Sequence, residues 1–253
     1  MSTVNFLNQV KKGALPDFRE QIYEGLRNPN EPHLAFLLLL DTSSSMGDMA
    51  GLKTKIQLLN EAIARLKDEM MMDELAASRV DIAIVAFSSN ARVICNWTPL
   101  SHFKAPVLQA DGLTAMGEGG MLAIDMVKER RRFYQRMGTP SFQGHIFMIT
   151  DGMPTDDTTA LVQRIKEEES KGPHGKLKWF SCAVPGADEA FLASLSKRKV
   201  AVETTDFDKL FQWIGASLVI TSVSNAHDGG AGTGTAVKLP DLPQGMRRIP
   251  DDW

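Results

Sequence analysis

Cysteine is nearly missing from this chain. Among 253 residues only Cys95 and Cys182 occur. They lie far apart in apolar, strand-like runs, so neither a disulfide framework nor a cysteine-based metal site can be drawn, and a reduced, cytoplasmic setting fits. An excess of basic charge is also missing: 28 Lys and Arg stand against 31 Asp and Glu, a net −3. That balance offers no general attraction to nucleic acid or to an acidic membrane surface. No run approaches the roughly 18 consecutive apolar residues of a membrane span. The opening stretch MSTVNFLNQVKKGALPDF lacks the continuous apolar core of a secretory leader. The expectation is a soluble, cytoplasmic protein with neither a nucleic-acid nor a membrane partner.

Familiar catalytic signatures are absent as well. The five histidines are scattered, with no H-E-x-x-H pair, and there is no G-x-S-x-G elbow. GGAGTGT and GEGG imitate a phosphate-binding loop only superficially, since no strand precedes them and no Gly-Lys-Ser/Thr follows. The basic run KERRRF (128–133) reads as the solvated face of a helix.

What is present is an alternation of buried strands and amphipathic helices. LAFLLLL (34–40) is apolar at every position, as expected of a central parallel strand covered on both faces. Ile56, Leu59, Ile63, Leu66 and Met70 recur at helical spacing over 52–72. VDIAIVAFS (80–88) reads as a strand, and ARVICNWT (91–98) follows so closely that it must be an antiparallel hairpin partner. A loop over 105–120 leads to a helix ending near Met137. HIFMITD (145–151), KLKWFSCAV (176–184) and KVAVETT (199–205) read as strands, with helices over 157–171, 188–196 and 207–223. This order predicts an α/β fold, Rossmann-like and doubly wound, with a mostly parallel sheet and one antiparallel edge strand. Residues 1–32 form a helical N-terminal extension, 33–223 the domain, and 224–253 a Gly/Pro-rich C-terminal arm.

Sheets of this kind place ligands at the carboxyl ends of their strands, where the strand order switches. Two predicted strands end in an acid, Asp41 and Asp151. After Asp41 come Ser43 and Ser45, at i+2 and i+4, spaced to converge from a tight loop. Small oxygen ligands suit a hard divalent cation such as Mg²⁺, which takes about six oxygens. Thr114, in DGLTAMGEG, offers another hydroxyl, and Asp151 another carboxylate, directly or through water. Each residue also has a bland reading. Asp and Ser are favoured helix N-caps. Asp151 suits an Asx-turn, and Thr114 suits any loop. Glu118, Asp48 and Asp156 read as solvated acids.

D-x-S-x-S, a distant loop Thr and a later strand-end D-G resemble the metal-ion-dependent adhesion site (MIDAS) of von Willebrand factor A (VWA) domains. The matching residues are Asp41, Ser43, Ser45, Thr114 and Asp151, and the resemblance covers roughly 33–223. VDIAIVAFSSNARVICNWTPLSHF and FDKLFQWIGAS look most like the bacterial tellurium-resistance TerY-like branch. Two positions depart from the pattern: Ser44 stands where Gly is frequent, and Met116 where a second Thr is frequent. The resemblance implies a non-enzymatic protein-binding module whose Mg²⁺, with Mn²⁺ or Ca²⁺ as alternatives, accepts an Asp or Glu from a partner protein. It further implies a bacterial or phage stress-response or defence system with a protein kinase and a PP2C-type phosphatase among the partners.

Two other functions fit the residues. A greasy strand ending in Asp also opens haloacid-dehalogenase-like phosphoryl-transfer enzymes, although Ser43 replaces the acid expected two residues on. A scaffold with a vestigial metal site is the other. The acceptor carboxylate could also come from the chain's own IPDDW tail, through Asp251 or Asp252.

Overall fold

A strand with no polar residue before its last position can be stable only at the centre of a sheet, and β1 (Leu34–Asp41) is buried along its whole length. Its side chains alternate between two cores. Leu34, Phe36, Leu38 and Leu40 enter one, while Leu37 and Leu39 enter the other. Each such leucine contributes about 1.5–3 kcal/mol relative to exposure. The computed structural model describes residues 30–223 and 239–250.

The chain then forms a small hairpin, β2 (Met49–Ala50) and β3 (Lys53–Thr54), before helices α1 (Lys55–Met71) and α2 (Glu74–Arg79). Strands β4 (Val80–Phe87) and β5 (Ala91–Pro99) lead to α3 (Met116–Arg136) and β6 (Gly144–Thr150). Next come α4 (Thr159–Ser170), β7 (Leu177–Ala183), α5 (Glu189–Leu195), β8 (Lys199–Val202), α6 (Phe207–Val223) and β9 (Met246–Arg248). The seven-stranded sheet has the order β5-β4-β1-β6-β7-β8-β9. β4, β1, β6, β7 and β8 run parallel, and the two edge strands, β5 and β9, are antiparallel. The doubly wound α/β expectation therefore holds. Helices α1, α2 and α6 cover one face, where Leu59, Ala76 and Phe211 join the same core; α3, α4 and α5 cover the other with Val127, Leu161 and Leu192. After β1 the chain builds outward through β4 and β5, then crosses to β6 on the opposite side. The switch in strand order thus falls between β1 and β6.

Several expectations change. The helix predicted from residue 52 starts at Lys55, because Thr54 caps it: Thr54 Oγ1 accepts from Gln57 N–H and Gln57 Oε1 accepts from Thr54 N–H. The loop predicted through residue 120 ends at Met116. GEGG is helical, and its glycines let the helix press against its neighbours: a Cβ on Gly117 would lie 2.4 Å from the Asp157 carbonyl oxygen, and one on Gly120 2.5 Å from Leu161. Part of the expected C-terminal arm belongs to the sheet. β9 pairs antiparallel with β8, Ile249 is buried, and Trp213 Nε1 donates to the Pro240 carbonyl. Val202 pairs with Met246 and Val200 with Arg248, so the strand descends away from the carboxyl edge. Ile249 N–H reaches Lys199 O at the far end of β8. Asp251 and Asp252, and the predicted helices over 1–28, lie outside the described residues.

The basic run on α3 is another correction. Arg130 and Arg131 turn inward, and Arg130 Nη2 lies 3.0 Å from Asp81 Oδ2 at the amino-terminal end of β4. Tyr134 Oη donates to the same oxygen, and His33 Nδ1 lies 3.2 Å from it. Burial pushes the Asp81 carboxyl up. Arg130, with His33 and Tyr134, more than reverses this and holds it below the ordinary carboxylate range. A carboxyl with a lowered folded-state pKa stabilises the fold above its unfolded pKa, and that stability is lost as pH falls through the folded value. Asp81→Asn should cost about 3–5 kcal/mol at neutral pH by leaving Arg130 buried without its counter-charge. Urea unfolding at neutral pH and below pH ~4 checks this: the penalty should be full at the first and shrink at the second.

Candidate metal centre

Because β1 and β6 are parallel neighbours with Leu40 opposite Ile149, Asp41 and Thr150 end at one level of the sheet. Thr150 Oγ1 donates to Asp41 Oδ2 at 2.5 Å. Ser43 N–H donates to Asp41 Oδ1 at 2.8 Å. The chain then turns through a short 3-10 segment, Ser44–Gly47, which brings Ser45 back over the strand end. Ser43 Oγ and Ser45 Oγ are 3.1 Å apart, and Ser45 Oγ donates to Asp151 Oδ1 at 2.7 Å. Four of the five sequence-predicted residues thus form one hydrogen-bonded chain across the switch point.

Thr114 is delivered by a loop tied down on three sides. Asp111 N–H donates to Thr42 O, Ala115 N–H to Ser88 O, and Thr155 N–H to Thr114 O. A Cβ on Gly152 would sit 3.5 Å from Thr114 Oγ1 and 3.6 Å from Asp41 Oδ2. Thr114 and Asp41 therefore face a common space that any side chain at residue 152 would fill.

The capping reading of the motif fails. Ser43 precedes the 3-10 turn but makes no side-chain cap, and α1 is capped by Thr54. Asp156, expected to be solvated, caps α3 instead, accepting from Gly117 N–H at 3.0 Å and Glu118 N–H at 2.9 Å. This bond fastens the loop after Asp151 to the helix after Thr114, so the two halves of the site are held together.

Two contributors escaped the sequence reading. Thr150 was hidden inside a strand, although its position next to Asp151 offered a signal. Lys55 places Nζ 2.5 Å from Asp151 Oδ2, with the side chain only 12% exposed and that of Asp151 0%. It is the first residue of α1, where a positive charge opposes the helix dipole by about 0.3–1 kcal/mol. Thr54-x-x-Gln57 marked that helix start in the sequence, so the unfavourable lysine was visible even though its partner was not.

Electrostatically the two carboxylates differ. Asp151 has an ammonium beside it. Asp41 has zero exposure and, among the described residues, no ion pair, only the neutral donors named above. Burial pushes its carboxyl above the ordinary range. The Ser43 and Thr150 hydrogen bonds pull it partway back, and the Asp151 charge adds to the upward push. A buried carboxylate without a counter-charge is unstable as an anion, and a cation seated among Asp41, Ser43, Ser45 and Thr114 would relieve that. Among the described residues no three His, Cys, Asp or Glu side chains converge as metal ligands. The donors here are hydroxyls and carboxylates, a set that fits a hard cation.

Residues 36–154, just under half of the chain, match the family profile of the von Willebrand factor type A domain. A search of curated proteins found no match. Solved structures with the same fold include the pilus adhesin SpaC from Lactobacillus rhamnosus GG (TM-score 0.58, 10% identity, 75% of this chain and 31% of that one). Another is the PilB minor pilin from Streptococcus sanguinis (0.52, 15%, 75% and 62%). A third is proximal thread matrix protein 1 from the mussel byssus with a zinc-occupied MIDAS motif (0.51, 15%, 75% and 48%). This chain spans less than two thirds of each, and at these identities the likeness establishes the fold alone. No helix among the described residues is long and apolar enough to cross a membrane.

Thr150→Val keeps the shape of the side chain and removes the donor to Asp41. It should cost about 1–3 kcal/mol, the penalty of an unsatisfied buried acceptor, measured by equilibrium unfolding in EDTA.

Proposed function

We propose that the domain is a non-enzymatic protein-interaction module that binds a divalent cation, Mg²⁺ or Mn²⁺, through Asp41, Ser43, Ser45, Thr114 and Asp151. A partner's Asp or Glu would complete the site. The observation that carries this is the continuous chain Asp41–Ser43–Ser45–Asp151, with Thr114 opposite, at the one point of the sheet where strand order reverses. When bound, the cation supplies an electrophilic coordination position, because most of its protein donors are neutral. The protein's own residues do the rest. Ser43 and Ser45 present hydroxyl lone pairs from a rigid turn, Thr114 approaches from the facing loop, and Thr150 orients Asp41. The zinc-occupied MIDAS of the mussel protein supports a cation at this place in the fold.

The phosphoryl-transfer alternative is disfavoured by the residue two places after Asp41: Ser43 stands where that chemistry needs an acid to protonate the leaving group. Within the same proposal, a cytoplasmic location and a bacterial or phage stress or defence system with kinase and phosphatase partners rest on the TerY-like resemblance alone. A vestigial-site scaffold differs in one measurable respect, since its partners would ignore the metal.

The test uses the double variant Ser43→Ala/Ser45→Ala, which removes two hydroxyl donors and leaves both carboxylates. Calorimetric titration with Mn²⁺ should show one site in the wild type and at least about a hundredfold weaker binding in the variant, the ~2.7 kcal/mol expected of two lost ligands. Affinity purification from the native host in Mg²⁺ should recover partners that EDTA and the double variant both lose. Equal recovery in EDTA would overturn the proposal in favour of the scaffold reading.

A further inference from the structure

Lys55 is held where local preference argues against it. It opens α1 with no acidic residue in the first turn to offset it, against the dipole of its own helix. The path that delivers it is closed: Lys55 N–H donates to Asp48 O, so residues 48–55 form a loop that leaves the rim after Ser45 and returns to it. The Nζ then lies on Asp151 Oδ2, while Ser45 holds Oδ1. The β7–α5 loop is shaped to admit it. Gly186 adopts φ +111°, and a Cβ there would lie 2.9 Å from the Asp151 carbonyl oxygen and 3.5 Å from Lys55 Nζ. A local conflict maintained by several independent contacts marks a position selected for something other than helix stability.

We infer that Lys55 is a tethered cation that competes with the divalent metal for the Asp151 side of the site and sets the concentration at which the metal loads. The inference rests on the metal-site reading above and adds a residue to it. With Lys55 seated, Asp151 is neutralised and Ser45 spends its proton on Oδ1, which orients the hydroxyl toward the acid. To hold a divalent cation, Ser45 would have to turn its lone pair away from its bond to Asp151, and the Lys55 ammonium on the same carboxylate would repel the incoming charge. The ion pair thus stabilises the metal-free rim and lowers metal affinity by the same linkage.

Removing the charge should shift both quantities in opposite directions. Mn²⁺ titration by calorimetry should give a dissociation constant at least about tenfold lower for Lys55→Met than for wild type. Lys55→Arg, which keeps the charge, should bind no tighter than wild type. In EDTA, Lys55→Met should melt at a lower temperature, and saturating Mn²⁺ should raise its melting point by more than it raises that of wild type. If the variant is unfolded in EDTA, Mn²⁺ should fold it, and failure to do so overturns the inference. Wild-type-like or weaker Mn²⁺ binding by folded Lys55→Met overturns the competition while leaving the metal site standing. No Mn²⁺ binding by either protein removes the site and the competition together.

Discussion

Two fully buried carboxylates sit at opposite ends of this sheet, and they are treated in opposite ways. Asp81, at the amino-terminal end of β4, has a guanidinium, a tyrosine hydroxyl and a histidine around it, and its carboxyl is held low. Asp41, at the carboxyl end of β1, is equally enclosed but has only neutral donors among the described residues, and its carboxyl is pushed up. Burying a charge without a partner is among the most costly things a fold can do. The first end is sealed by an internal cation. The second is left with a deficit that an external cation can meet.

That deficit organises the rim. The neutral donors to Asp41 come from both strands of the switch point, and the serines connect it to Asp151 across the gap. The third side arrives on a loop clamped by backbone hydrogen bonds and by Asp156 at the start of α3. Glycines allow these parts to approach closely. Gly117 lets the helix meet the 155–158 loop, and Gly152 keeps open the space between Thr114 and Asp41. A rim assembled from three separate segments is pre-formed rather than gathered by its ligand, which favours binding by reducing the ordering it requires. Lys55 places a positive charge on Asp151 within the same rim.

The parts of the fold and site that were legible in the sequence share one property: their signals are local. β1 is apolar at every position because both of its faces are covered, so a run of seven residues was enough to place it at the centre. Asp41, Ser43 and Ser45 announce themselves by spacing, since alternate residues of a tight turn converge. The less legible parts depend on distant neighbours. GEGG looked like a loop because glycine is poor in helices, and only the closeness of Asp157 and Leu161 explains why a larger residue is excluded. Arg130 and Arg131 looked solvated because they belong to a basic run, and nothing in that run points to Asp81 on another strand. β9 is not legible as an edge strand, since three residues after a Gly-rich stretch carry too little pattern to reveal one.

The sequence by itself determined the alternation of strands and helices, the two strand-end acids and the converging hydroxyls. Hydrophobic periodicity and residue spacing are properties of short segments. Tertiary structure alone decided that Asp81 is paired with a cation while Asp41, among the described residues, is not, that Asp156 is a helix cap, and that Lys55 lies on Asp151. Those outcomes depend on which distant charge reaches which buried oxygen, and charge pairing across a fold is set by the packing of elements that share no sequence neighbourhood.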